Sequence, residues 1–206
     1  MIRIFSLLLV LCLVVPPSIA SPAPSAVERE AGRELAHLFN AHKVGDARPG
    51  DYQAAATSLR ILFAEYEENG TNKGLQEQLN SLAGDFPNQV REPDDVFSSM
   101  VSMGAIVTKQ ELRDHFSQYS LEQGRAFARH YAHAGGIEEI EAAMISALVQ
   151  KSAQVTERGA TKAAWVCEFS GLVALYSFVI SVVCLVCAPI AAIIGGVSSI
   201  VAFIAC

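Results

Sequence analysis

From Val27 onward, inward-type side chains return at the 3.6-residue spacing of an amphipathic helix. Val27, Ala31, Leu35, Leu38, Phe39 and His42 share one stripe, which ends near Gly45. The next stripe is the clearest in the chain. Tyr52, Ala55, Ala56, Leu59, Leu62, Phe63 and Tyr66 lie on one side and Arg60, Glu65, Glu67 and Glu68 on the other, with Asp51 placed to cap the start and Gly70 to stop the end. A shorter helix is predicted behind Asn72, with Leu75, Leu79 and Leu82 inward and Gly84 and Pro87 at its end. Pro93, Asp94 and Asp95 open another over 96–103. Thr108 and Glu111 have capping-box spacing ahead of Leu112, Phe116 and Tyr119, and Ser120 and Gln123 repeat it ahead of Phe127 and Tyr131. Gly135 and Gly136 end that helix. Ile137, Ile140, Met144, Leu148 and Val155 then line a last one reaching about Glu157. No stretch alternates apolar and polar long enough to make a strand.

The two ends of the chain break this rhythm. Residues 1–20 carry one charge, Arg3, an apolar run over 5–15, and small residues before a cleavage point after Ala20. That is the pattern of a secretory signal peptide, and the run is too short to span a bilayer. Residues 21–26 form an unpatterned linker. At the other end, residues 163–206 hold a single charge, Glu168. The prediction is therefore an all-α protein, with a soluble α-helical pro-domain over 27–157 followed by a C-terminal hydrophobic helical hairpin over 163–206. Residues 158–162 join the two.

The apolar tail divides at Pro189. Residues 169–187 would reach roughly 28 Å as a helix, near the thickness of a hydrocarbon core, and residues 190–206 about 25 Å. Phe169, Leu172, Leu175, Phe178, Ile180 and Val183 on the first arm, and Ile190, Ile194, Ile200 and Phe203 on the second, are the membrane-inserting candidates. Gly195, Gly196, Ser198 and Ser199 give the second arm a small-residue face suited to close helix packing in lipid. Cys167, Cys184, Cys187 and Cys206 are the four cysteines left after signal cleavage, all within the tail, and an even number in an exported chain favours disulfides. A hairpin brings Cys167 to Cys206 and sets Cys184 beside Cys187 near the bend. This is the favoured one of three pairings. The turn carries no Lys or Arg of the kind that orients resident membrane hairpins.

Charge narrows the partners. The net charge of −6 falls almost entirely on residues 21–162, the wrong sign for nucleic acid and for docking on anionic lipid. The partners expected are a lipid bilayer and an immunity or export membrane protein. Catalytic patterns do not appear: there is no phosphate loop, no HExxH and no Gly-x-Ser-x-Gly, so the chain reads as a non-enzyme without cofactor. His130 and His133 near Glu138 and Glu139 lack a third ligand at persuasive spacing, and no metal is expected. Cys184-x-x-Cys187 stands in an apolar run rather than a redox fold. Asn69-Gly70-Thr71 matches a glycosylation acceptor.

Taken together, the leader over residues 1–20, the cuttable boundary from Arg158 to Lys162, and Cys167 through Cys206 resemble secreted precursors of the sporulation-delaying toxin family and, more distantly, halocin-type bacteriocins. The run from Gly32 to Phe39 is loosely similar to that family's early pro-region. The cysteines are spaced more widely than in the sporulation-delaying type and are fewer than in the halocin type, so the pairings rest on the hairpin alone. The resemblance implies that an apolar peptide is cut out and attacks a target membrane, with a dedicated membrane protein conferring immunity. Ala20, Arg158 and Lys162 are the processing candidates. The expected function is thus an exported precursor of a membrane-active antimicrobial peptide, secreted and membrane-associated. The alternative is an exported helical binding or assembly protein anchored by a transmembrane hairpin.

Overall fold

Ser25 turns the chain into its first helix. Its Oγ accepts the Glu28 N–H at 3.0 Å while the Glu28 carboxylate accepts the Ser25 N–H, satisfying two donors a helix start would otherwise leave bare. In the computed structural model, which describes residues 24–84, 93–117, 126, 128–158, 169, 172, 173 and 175, this helix, α1, runs Ala26–Val44. The apolar stripe alone marks Val27 as the first inward position, and the capping pair sets the start one residue earlier. α2 spans Pro49–Glu68. Asp51, expected as its cap, stands inside the first turn, where its Oδ2 accepts the Arg48 N–H at 2.8 Å. Pro49 explains the shift, because a proline needs no N–H partner and its fixed φ suits a first helical position.

α3 covers Thr71–Gly84, beginning ahead of the Asn72 expected to cap it, because the Asn69 carboxamide oxygen already takes the Thr71 N–H at 3.0 Å. α4 spans Pro93–Ser102 and α5 Lys109–Phe116. The Thr108–Glu111 box is formed as its spacing predicts, with the Glu111 N–H donating to Thr108 Oγ1 at 3.2 Å and the Thr108 N–H to Glu111 Oε2 at 2.7 Å. Residues 126 and 128–131 are helical, while the Ser120–Gln123 box lies outside the described residues. α6 runs Gly136–Arg158, so the helix continues through the expected boundary residue Arg158. The described residues are all-helical, with no strand among them.

α1 and α2 form an antiparallel hairpin fixed at both ends. At one end Ser25 Oγ donates to Glu65 at 3.1 Å and the Tyr66 hydroxyl to Glu28 at 3.2 Å. Burial, then the charges of Glu28 and Glu65, hold the Tyr66 phenol far above its ordinary range, so it remains a donor. At the other end Tyr52 bonds His42 Nε2, both side chains buried. α6 lies along α2, where Gln53 Nε2 donates to Ser152 Oγ at 3.2 Å and Ser152 Oγ to the Pro49 carbonyl at 3.0 Å. Gln76 on α3 clasps the start of α6, accepting the Ile137 N–H and donating to the Tyr131 carbonyl, each at 3.1 Å.

That clasp leaves no room at Gly136. A Cβ there would run into the Tyr131 carbonyl oxygen, main chain that cannot swing aside. Gly136→Ala is expected to cost about 2 kcal/mol or more, read as a lower urea midpoint at unchanged m-value. Gly50→Ala, where a Cβ meets nothing within 4 Å, is the matched control and should leave the midpoint level or higher.

Candidate functional site: the seat of the apolar segment

The C-terminal half of α1 supplies the floor of the site, and the segment between α4 and α5 is strapped onto it by polar bonds. Asn40 Nδ2 donates to the Gly104 carbonyl at 2.8 Å and its Oδ1 accepts the Ile106 N–H at 2.7 Å. Lys43 Nζ reaches the Ile106 carbonyl at 2.9 Å and the Glu111 carboxylate at 2.8 and 3.0 Å. Burial alone would push Glu111 up. The bonds from Lys43 and from Thr108, together with the Lys43 charge, outweigh it and hold the carboxyl below its usual range. These contacts set the first residues of α5 against α1, so that His115, one turn further on, turns inward.

Into this corner comes the beginning of the apolar tail. Phe169 sits between two rings, its centroid 5.6 Å from that of Phe39 on α1 and 5.9 Å from that of His115 on α5, the latter edge-on at 83°. Such tilted and T-shaped arrangements are the favoured ones for aromatic pairs. Leu172, Val173 and Leu175 go deeper and are at most 1% exposed, within the same cluster as Leu35, Leu38, Phe39, Met100, Leu112 and Met144. Residues 169, 172, 173 and 175 are each in helical conformation, and all four pack with the core. His115 is 2% exposed, and burial pushes its imidazole down to about 4. It is therefore neutral at ordinary pH and packs as an aromatic ring.

Three of the membrane-inserting candidates, Phe169, Leu172 and Leu175, are thus brought together inside the helical domain. Phe178, Ile180, Val183, Ile190, Ile194, Ile200 and Phe203 lie outside the described residues, as do Cys167, Cys184, Cys187, Cys206, Ala20 and Lys162. Among the described residues no helix is long and apolar enough to cross a membrane. Nor do three or more His, Cys, Asp or Glu gather among them to hold a metal ion. His133 Nε2 stands 3.8 Å from Glu139 Oε1, and His130 packs edge-on against Tyr131 at 4.6 Å.

Sequence reasoning missed His115 and Val173 as parts of the seat. A signal for His115 exists in its spacing, three residues after Leu112 on the same stripe. For Val173 none exists, because every residue of an apolar run looks alike by hydropathy. Comparison of the chain with protein-family models, with curated proteins and with solved structures finds no match.

Proposed function

We propose that the chain is an exported precursor in which residues 163–206 are a membrane-active antimicrobial peptide and the helical domain is its holder until release. The observation that carries this reading is the burial of Leu172, Val173 and Leu175 in the domain core, with Phe169 clasped between Phe39 and His115. An anchor and a seat make conflicting demands on these residues. While residues 169–175 are seated, only 176–187 of the first arm remain, which as a helix would reach roughly 18 Å against the ~30 Å of a hydrocarbon core. Seated, the arm cannot span. The tail must leave the domain before it crosses a bilayer as a hairpin, which suits a product stored and then released better than a permanent anchor.

The hairpin, its disulfides and its release near Arg158 to Lys162 belong to this proposal. Mass spectrometry of secreting cultures and their membranes tests it. Recovery of a free, oxidised peptide beginning near Ala163, with leakage of dye-loaded vesicles on its addition, is the expected result. Intact chain from Ser21 to Cys206 as the sole membrane-bound form, with no free peptide and no leakage, would overturn it in favour of the anchored binding protein.

A further inference from the structure

The turn between α2 and α3 carries chemistry that the tail and its seat do not use. Asn69, Gly70 and Thr71 satisfy the Asn-x-Thr rule for attachment of an N-linked glycan, and of the five asparagines in the chain (40, 69, 72, 80 and 88) no other is followed two residues on by Ser or Thr. We infer that Asn69 is an N-glycosylation site, accepting an oligosaccharide from a lipid-linked diphosphate donor during passage through a secretory pathway.

The geometry favours the acceptor on three counts. Asn69 and Gly70 are exposed at the end of a helix, so the turn is accessible without disturbing the core. The Asn69 Oδ1 accepts both the Thr71 N–H, at 3.0 Å, and the Thr71 hydroxyl. This is the local loop an Asx turn makes, and it places the hydroxyl that the rule demands directly on the acceptor amide. Both bonds go to Oδ1, drawing electron density from the carboxamide and making its N–H more acidic, on a residue that is itself exposed. In the transfer, Nδ2 forms a bond to the anomeric carbon of the donor sugar, the bond from that carbon to the diphosphate breaks, the lipid diphosphate leaves with its electron pair, and the amide proton passes to the transferase's base.

Position matters as well. Asn69 closes the end of the α1–α2 hairpin where Ser25 meets Glu65, whereas His42, Tyr52 and the neighbouring Phe39 mark the other end. Tyr52, in the first turn of α2, and Asn69, which caps its end, are 17 residues apart, roughly 26 Å along the helix. A glycan therefore stands clear of the Phe169 seat and coexists with a folded, tail-bound domain.

This inference rests on the export reading and is independent of any activity of the tail. Its test is expression of residues 21–206 in yeast behind a yeast secretion leader, so that delivery does not depend on the native one; the chain with its own leader, run in parallel, reports on export separately. The expected result is a single mobility shift removed by an amide-cleaving endoglycosidase. Digestion in 18O-water should leave heavy-isotope Asp at position 69 well above an enzyme-free incubation in the same water, since hydrolysis of a succinimide at Asn69-Gly70 takes up the same label. Asn69→Gln and Thr71→Ala should abolish the shift, while Thr71→Ser should retain it at lower occupancy. A secreted, cooperatively folded chain with the same mobility before and after digestion, and an unmodified Asn69 peptide, would overturn the inference.

Discussion

A chain ended at Lys162 is expected to lose most of its cooperative unfolding transition. Leu172, Val173 and Leu175 are fully buried and Phe169 partly so. Fully burying a side chain of this size contributes about 1.5–3 kcal/mol, so removing the three fully buried ones alone forfeits roughly 4.5–9 kcal/mol. Domains of this size are stable by only about 5–15 kcal/mol in total. The truncated domain should retain helical circular dichroism but bind a hydrophobic dye and unfold over a broad range of urea, as a loosely packed state does. Leu175→Ala in the full chain makes the same point at one position. It should cost about 2–5 kcal/mol with the m-value unchanged. A truncated chain that unfolds at the full-length midpoint would refute the seat.

Acid should loosen the same corner. Burial lowers the His115 imidazole from its ordinary value near 6.5 to about 4. Between these values the unfolded chain binds a proton that the folded one does not, so stability rises with pH across this window. The contribution is fully present above about pH 6.5 and is lost as the pH falls toward 4. Its full size is on the order of 3 kcal/mol. The Glu141 carboxyl, pushed up by its own burial and then by Glu67 and Glu138, slopes the other way and offsets part of the change. Urea midpoints at pH 7.5, 5.5 and 4.5 should therefore fall, and His115→Leu should flatten the fall. Fluorescence quenching of the chain's one tryptophan, Trp165, follows the tail directly; it should rise in acid for the natural chain and stay level for His115→Leu. Equal pH slopes for the two proteins would count against an internal His115.

Much of the helical domain was legible because its helices are amphipathic on their own. The seven inward residues of the second stripe, Tyr52 to Tyr66, are the seven that α2 buries, and His42 is buried on α1 as its place in the first stripe implies. Caps moved the boundaries instead. Ser25, Pro49 and Asn69 act through main-chain bonds or φ, which hydropathy does not register. The seat was illegible for a different reason. Apolar periodicity says which face of a helix avoids water but not whether lipid or protein will cover it, and a run such as 169–187 satisfies either partner. His115 illustrates the same limit from the other side, since a polar residue name conceals a ring that packs as Phe.

The position of the seat in the chain dictates an order of events during synthesis. α1, α2 and α3 follow one another and can pair as they emerge, but Ser152 of α6 meets Gln53 and Pro49 of α2 across 99 and 103 residues, and the core lacks its last members until residue 175 has arrived. On the export proposed above, a chain threaded outward from its N-terminus completes the core at residue 175, before the apolar residues that follow it appear. Folding proceeds from the N-terminal side during synthesis, so on that proposal Phe169, Leu172, Val173 and Leu175 are already seated when the rest of the apolar run could first reach a bilayer.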